Sequence, residues 1–325
     1  MTFWRMLVFI GSLAAASVQA GPLLDRWLEH HTLPTPTAAA PAPHGRGLDD
    51  DDGPEAAPFT ALPAGVQVLR DVAYGDQPAQ RMDVYRPRQR LTGAPVIFMV
   101  HGGGWRWGDK AARAVVEHKV AHWVPQGYLV VSVNYRLLPG VKPPVQAQVQ
   151  DVARALAVAQ AHAASWGGNA GQFILMGHSS GAHLVALLSA DPQLARKQGA
   201  QAWLGTVLLD SAALDVPALM QNRHLHLYDT AFGDEPAQWR AASPLHQLEA
   251  VNGPLLPMLA VCSTRRSDSC AQAEAFAARA EYFGRPVTVL SEDATHRDIN
   301  LHLGQPGPYT RAVDAFITSL RPSSR

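Results

Sequence analysis

Short apolar segments alternate with segments of helical periodicity from Phe59 onward, and this alternation limits the possible folds more than any other feature of the 325-residue chain. The segment Pro95–Val100 reads PVIFMV, the unbroken apolar pattern of a strand buried on both faces. Similar segments follow at Tyr128–Val133, Phe173–Met176, Thr206–Leu209, Met258–Val261 and Val287–Leu290. Between two of them, apolar residues from Val145 to Ala159 repeat at helical spacing. The pattern predicts an α/β fold, a mostly parallel sheet with helices on both faces, preceded by a hairpin at Val66–Tyr74 and Gln80–Tyr85.

Composition narrows the class of protein further. Hydrophobic residues make up 47% of the chain, enough for a large core, and Lys+Arg and Asp+Glu number 27 each. This charge balance gives no indication of a nucleic-acid partner. Two cysteines are too few for a disulfide scaffold or a four-thiolate zinc site. His118 and His122 have helical spacing, but Lys119 stands where a zinc protease needs glutamate, so we predict no metal site and no cofactor.

The N-terminal segment has the pattern of a secretory signal. In residues 1–20, Arg5 precedes an apolar run too short to span a bilayer, and Val18-Gln19-Ala20 fits a signal-peptidase site. We predict cleavage after Ala20, a secreted or periplasmic location and no stable membrane insertion; an uncleaved anchor is the alternative. Residues 21–58 are rich in Pro, Ala and Asp and predict a disordered tether. Residues 59–325 are predicted to form one folded α/β domain.

The segment Gly177-His178-Ser179-Ser180-Gly181 is a candidate nucleophile motif. It matches G-x-S-x-G and stands directly between the strand-like FILM and the helical AHLVALL. A strand, a sharp turn and a helix are what lifts a serine hydroxyl above a sheet. The alternative is an ordinary strand-to-helix turn. In this context we predict that Ser179 is the nucleophile.

A second motif, His101-Gly102-Gly103-Gly104-Trp105, follows the predicted strand PVIFMV. Successive glycines let backbone N–H groups approach a tetrahedral oxyanion, which a Cβ would obstruct. A merely flexible loop is the alternative. The predicted donors are the N–H groups of Gly103, Gly104 and Ser180.

Together these motifs resemble those of a known superfamily. HGGGW, the segment Asn134–Pro139, the helix that contains Asp151, and GHSSGAHL resemble the carboxylesterase/lipase branch of the α/β-hydrolase superfamily. GHSSGAHL is also similar to the corresponding segment of bacterial feruloyl-esterase-like enzymes and of kynurenine formamidase. The resemblance covers the chain from about Val66 to the C-terminus. It implies the fold and a serine nucleophile, and it says little about the substrate.

The same resemblance implies where the other catalytic side chains lie. The superfamily orders its triad as serine, acid, histidine, with the acid after the strand that here reads MLAV. Asp268 is the only carboxylate of the following loop and is the predicted acid, with Asp210 and Asp293 in reserve. His296 follows the last predicted strand and is the predicted base; His302 is its competitor.

Cys262 and Cys270 flank Asp268. In an exported protein a disulfide between them is expected, and it would hold Asp268 in register with His296. Two free thiols are the alternative.

These residues predict a serine carboxylic-ester hydrolase (class EC 3.1.1) that cleaves short- to medium-chain esters through an acyl-enzyme on Ser179. An arylformamidase of the kynurenine formamidase type, or a catalytically silent binding module, are the alternatives. The expected partner is a small-molecule ester, part of whose pocket would come from aromatic residues in the long segment between Asp215 and Pro257. The sequence does not indicate an oligomeric state.

Overall fold

The computed structural model describes residues 58–140, 144–250, 256–284 and 287–321. The strands of this part of the chain are β1 (Val66–Ala73), β2 (Arg81–Pro87), β3 (Ala94–Val100), β4 (Leu129–Val133), β5 (Gly168–His178), β6 (Gly205–Leu209), β7 (Met258–Ser263) and β8 (Val287–Glu292).

Helices follow each strand from β3 onward. They are α1 (Arg113–Trp123), α2 (Pro144–Trp166), α3 (Ser180–Ala190), α4 (Gln193–Arg196), α5 (Val216–Gln221), α6 (His226–Phe232), α7 (Pro236–Ala241), α8 (Pro244–Gln247), α9 (Ser269–Tyr282), α10 (His296–His302) and α11 (Pro308–Ser319). A 3-10 turn, Leu248–Ala250, follows α8.

The eight described strands form one sheet in the order β1-β2-β4-β3-β5-β6-β7-β8. The pairs β1–β2 and β2–β4 are antiparallel, and every later pair from β4 to β8 is parallel. The predicted hairpin and the predicted, mostly parallel α/β sheet are thereby confirmed.

The core lies on both faces of the sheet, as β3 illustrates. All seven of its residues are buried. Phe98 and Val100 belong to the apolar cluster on one face, which also takes in α2 and α3. Ile97 and Met99 belong to the cluster on the other face, with α1 and α11. Because successive strand residues point to opposite faces, this double burial accounts for the unbroken apolar sequence PVIFMV.

The sheet brings the carboxyl ends of three neighbouring strands to one edge. Ser179 follows β5, Asp210 follows β6, and β7 ends at Ser263. Strands β5 and β6 are paired directly, as are β6 and β7. Residues at the ends of adjacent parallel strands are neighbours, and this edge is where ligands bind in open α/β sheets.

The predicted signal, residues 1–20, and almost all of the predicted tether lie outside the described residues. Pro58, the last residue assigned to the tether, is described: it forms an isolated bridge with Ala112 and so belongs to the folded part. None of the helices in the described ranges has the length and apolar character needed to cross a membrane.

Candidate active site

Ser179 occupies a sharp turn between β5 and α3. Its φ of 53° and ψ of −120° are unusual for a residue other than glycine. Its backbone N–H donates to the carbonyl oxygen of Leu209 on β6 at 2.9 Å. The turn depends on Gly181, where a Cβ would lie 2.3 Å from the carbonyl oxygen of Val100. The G-x-S-x-G motif therefore forms the predicted elbow, with α3 beginning at the next residue, Ser180.

The HGGG loop lies against this turn. The imidazole Nδ1 of His101 is 2.7 Å from the carbonyl oxygen of Gly102, and the carbonyl oxygen of Gly103 accepts the N–H groups of Arg106 and Trp107 at 3.0 and 2.9 Å. In a trans peptide the C=O and the following N–H point in opposite directions. The N–H groups of Gly103 and Gly104 therefore point away from the loop's own hydrogen bonds.

A buried histidine–aspartate pair lies at the same edge of the sheet. His296 is the first residue of α10, because the hydroxyl of Thr295 accepts the N–H of Asp298 and starts the helix there. The Nδ1 atom of His296 is 2.5 Å from Oδ2 of Asp210, whose side chain is fully buried. An ionised carboxylate cannot donate, so the proton between these atoms belongs to Nδ1. This leaves Nε2 of the neutral imidazole as the basic nitrogen.

The expectation that Asp268 pairs with His296 is wrong. Asp268 immediately precedes α9, its side chain is 42% exposed, and its carboxylate lies 3.7 Å from Nε of Arg266. Asp210, the first reserve, holds the imidazole instead. The physical reason is the position of the strand end: Asp210 follows β6 directly and is buried beside β7, whereas Asp268 lies five residues beyond β7 at the surface.

The other reserve residues lie apart from this pair. Asp293 is on the surface, 82% exposed, and accepts a hydrogen bond from Nε of Arg265 at 2.8 Å. His302 is half exposed, with Nε2 3.6 Å from Asp298.

Three donors, from the end of β7, the following loop and the start of α9, hold Asp210. The backbone N–H of Ser263 donates to Oδ1 at 2.6 Å, the hydroxyl of Ser269 donates to the same oxygen, and Nη1 of Arg266 donates to Oδ2 at 3.0 Å. Burial alone would raise the pKa of Asp210, but the hydrogen bond and charge of His296, with Arg266 and Ser269, outweigh it and hold that pKa well below its usual range. The carboxylate is therefore ionised.

His178 and Arg266 link His296 to the serine. The ring of His178, the residue before Ser179, packs on the ring of His296 with centroids 4.5 Å apart. Nε2 of His178 lies 3.0 Å from the carbonyl oxygen of His296, so it donates there. Arg266, whose Nη1 is 2.8 Å from Nδ1 of His296, lines the same cavity as Ser179. The structure thus brings Ser179, His296 and Asp210 to one site.

The cavity has a volume of about 300 Å³, part of it open to solvent. The serine turn contributes Ser179 and Ser180, and the HGGG loop contributes Gly104; Gly103 is not among the residues that line it. The remaining wall comes from Trp105, from residues 211–213 after β6, from Leu227 and Tyr228 on α6, and from Arg266.

The long segment between β6 and β7 does form part of this wall, as expected. Tyr228 lines the cavity and Phe232 packs edge-on against Trp105, with ring centroids 5.1 Å apart. Trp239 is not among the residues that line the cavity; it donates its Nε1–H to the carbonyl oxygen of Gly233 at 2.8 Å. His224 and His226 both pair with Asp229 at 2.9 Å.

Cys262 and Cys270 form a disulfide, with Cα atoms 5.0 Å apart. The expected bridge is present, but it does not align Asp268 with His296. It joins the two ends of the loop that holds Asp210, since Ser263 follows one cysteine and Ser269 precedes the other.

Within the described ranges, no three His, Cys, Asp or Glu side chains are grouped so that they could hold a metal ion. His122 pairs with Asp314 at 2.9 Å, and Nε2 of His118 lies 2.8 Å from Nε2 of Gln305.

Comparison with known proteins supports the same interpretation of the fold. The BD-FAE family model matches residues 82–205, which is less than half of the chain. The structure resembles that of esterase B from Lactobacillus rhamnosis, with a TM-score of 0.65 and 18% identity, over 80% of this chain and 86% of that chain. It resembles a truncated carbohydrate esterase from gut microbiota equally well, with a TM-score of 0.65 and 18% identity, over 78% of this chain and 96% of the other. The chain has the α/β-hydrolase fold.

Two sequence relatives of this chain are named as esterases. A probable isoprenylcysteine alpha-carbonyl methylesterase ICME of Oryza sativa subsp. japonica is 34% identical over 135 residues, which are 42% of this chain and 31% of the relative. Esterase LipC of Mycobacterium tuberculosis is 39% identical over 130 residues, which are 38% of this chain and 31% of the relative. The chain thus spans about a third of the length of these curated relatives.

Two residues of the candidate site have weaker sequence signals than the two glycine-rich motifs. Asp210 directly follows the apolar run TVLL, and a carboxylate at the end of a buried strand is a signal in itself, because burial requires a partner. The second residue is Arg266. No local pattern distinguishes it from the exposed Arg265 beside it; only the fold does.

Proposed function

We propose that this α/β-hydrolase is an exported serine esterase that cleaves short- to medium-chain carboxylic esters through an acyl-enzyme on Ser179. The observation that carries the proposal is the buried pair of His296 and Asp210, 2.5 Å apart, beside the cavity that Ser179 lines. Asp210 sets the tautomer of the imidazole, and that tautomer is the one a general base needs. The esterase names of the relatives support the same reaction class.

In the first half of the proposed reaction, Nε2 of His296 takes the proton of the Ser179 hydroxyl as its oxygen attacks the ester carbonyl carbon. The carbonyl oxygen becomes an oxyanion, for which the N–H groups of Gly103, Gly104 and Ser180 are the proposed donors. The imidazolium, stabilised by Asp210, then protonates the departing alkoxide. Alcohol leaves and the acyl group stays on the serine.

In the second half, water replaces the alcohol. Nε2 of His296 takes a proton from water, the resulting hydroxide oxygen attacks the acyl carbon, and the imidazolium returns the proton to the oxygen of Ser179. The carboxylic acid leaves and the free serine is restored. Each side chain thus acts twice, with no net change in the protein.

The lining of the cavity supports a small acyl group. Residues 211–213, which are Ser, Ala and Ala, have short side chains and line the same cavity as Ser179, together with the larger Leu227 and Tyr228. Export rests on the signal pattern of residues 1–20 alone.

The test is covalent labelling of the purified protein with a fluorophosphonate. Wild type is expected to gain one phosphonyl group on Ser179, found by peptide mass spectrometry, and to hydrolyse p-nitrophenyl acetate. Ser179→Ala is expected to lose label and to lose several orders of magnitude in kcat, with an unchanged melting temperature. Absence of label and of turnover in the folded wild type would refute the proposal and favour a silent binding module.

A substrate panel then separates ester from amide chemistry. Rates with p-nitrophenyl acetate, longer acyl chains, methyl ferulate and N-formylkynurenine are compared as kcat/KM. The proposal expects the highest values for short acyl chains. A higher value for N-formylkynurenine than for every ester would assign an arylformamidase instead.

A further inference from the structure

Arg266 is a buried cation within the candidate active site. Its side chain is 13% exposed, its Nη1 lies 3.0 Å from Oδ2 of Asp210 and 2.8 Å from Nδ1 of His296, and the residue lines the cavity beside Ser179. A guanidinium carries only donors. It is therefore bound to the acid and in contact with the base at the same time.

The proton on Nδ1 decides what this contact does. Because Nδ1 donates its proton to Asp210, it cannot also accept one from Arg266. The guanidinium thus faces Nδ1 without a hydrogen bond to it. Once Nε2 takes a second proton, the imidazolium and the guanidinium are like charges in contact, and each is partly screened by the carboxylate of Asp210.

The guanidinium of Arg266 stays protonated. Burial would lower its pKa, but the charges of Asp210 and Asp268 outweigh burial and raise it. Other titratable or charged groups on the elements packed around His296 and Arg266 include His178 on β5, Tyr228 on α6, Lys119 on α1, Tyr309 on α11 and, on α10 itself, Arg297, Asp298 and His302. Of the described cations, Arg266 is the one in contact with the imidazole ring nitrogen that pairs with the acid.

We propose that Arg266 is a positioning residue that fixes the Asp210 carboxylate and opposes protonation of His296, so that the base stays usable at a lower pH than it would without this cation. The inference rests on the proposed function, since it assigns a pH dependence to the same serine chemistry. Removing the guanidinium takes away the like charge and leaves the negative charge of Asp210 less compensated. Both changes favour the imidazolium.

The experiment is the pH profile of kcat/KM for p-nitrophenyl acetate from pH 4.5 to 9. In Arg266→Met and Arg266→Gln, the acid limb is expected to move upward by about one pH unit or more. Arg266→Lys keeps a cation at this place, so its limb is expected within about 0.3 unit of wild type. Arg265→Gln is the matched control, since Arg265 is exposed and pairs with the surface residue Asp293; its profile should equal that of wild type.

A lower kcat with an unmoved acid limb in the neutral variants would overturn the proposal, because a merely structural arginine would give that result. Two neutral variants are used so that either one decides the question if the other does not fold. The rate of fluorophosphonate labelling against pH gives a second profile that does not need turnover. If wild type is not labelled and does not hydrolyse ester, the proposed function fails, and this inference fails with it. If wild type is active and the acid limbs of the neutral variants are not shifted, only the inference fails.

Discussion

At the scale of single residues, the two groups that matter most have strained backbones. Ser179 and Asp210 have φ values of 53° and 55°, although neither is glycine. Such conformations cost about 1–3 kcal/mol each and persist only where surrounding contacts impose them. Each of these residues directly follows a buried parallel strand, and each is turned so that its side chain reaches the cavity edge of the sheet.

The identity of the acid can be tested by a matched pair of variants. Asp210→Asn removes the charge that holds His296 and lets the amide donate to Nδ1, which favours the wrong tautomer. We expect kcat to fall by about 10³–10⁴-fold. Asp268→Asn, at the exposed start of α9, should retain activity within about twofold of wild type.

Steady-state kinetics on both variants, with melting curves to confirm folding, decide between the two carboxylates. A large loss of kcat in Asp268→Asn, together with an active Asp210→Asn, would show that Asp268 is the acid, as expected from the sequence.

His183 gives a prediction for stability rather than activity. It is buried on α3, where its Nε2–H donates to the carbonyl oxygen of Ala242 at 2.7 Å and its Nδ1 accepts the Nε1–H of Trp105 at 3.3 Å. Burial lowers its pKa to about 4, despite the hydrogen bond to Ala242. The unfolded chain, with an ordinary histidine pKa of about 6.5, binds this proton at a higher pH than the folded protein does. The folded state is therefore destabilised as pH falls through this window.

Between pH 7 and pH 5 the contribution of His183 is about 2 kcal/mol. His183→Gln should lose that much less free energy of unfolding over the same interval than wild type loses. Urea denaturation at both pH values measures the difference. His101 has a pKa lowered by burial too and adds a similar slope to both proteins, so the comparison isolates His183. Equal pH dependence in the two proteins would contradict the assignment.

At the scale of elements, the segment between β7 and α9 holds the catalytic acid in place and does not supply it. The resemblance to the superfamily predicts the acid in this loop. Instead, the loop and the residues at its two ends supply the donors that hold Asp210, which follows the neighbouring strand β6. Its two serine donors adjoin the disulfide-bonded cysteines in sequence. The bridge thus restrains both ends of the segment that contacts Asp210.

Removing this bridge should affect stability and activity together. For Cys262→Ser/Cys270→Ser, we expect a loss of about 2–3 kcal/mol in the free energy of unfolding, because the cysteines close a loop with a sequence separation of 8. We also expect a lower kcat, since the donors to Asp210 are less well ordered. Chemical denaturation and ester hydrolysis measure the two effects.

The control is wild type treated with dithiothreitol, which should reproduce both changes, while the double variant should not respond to the reductant. A fall in stability with unchanged kcat would mean that the loop keeps its order without the bridge.

At the scale of the whole molecule, the sheet was the most predictable part. Strands buried on both faces have unbroken apolar sequences, so β3, β4 and β6 could be identified almost to the residue. β5 begins at Gly168, earlier than predicted, because its first residues alternate between buried and exposed positions and do not form an apolar run. The short helices between β6 and β7 have too few turns to show a periodicity.

The candidate site was predictable where a motif contains its own geometry. G-x-S-x-G and HGGG include the glycines that their turns need, so the serine and the loop could be placed from local sequence. The acid could not, since an aspartate after β6 and one after β7 look alike until the fold shows which one is buried. Arg266 illustrates the same limit, because its role comes entirely from residues distant in sequence.

The hydrogen bond from the N–H of Ser179 to Leu209, the residue before Asp210, ties the two strained turns to one another through the sheet itself. Their separation is thus set by the spacing between neighbouring strands, about 4.8 Å, which hardly varies among proteins. Any other parallel sheet into which this arrangement is designed already has that spacing. The harder part would be to design the segment after β8, two strands further along the sheet, so that it places the imidazole of His296 beside these two turns.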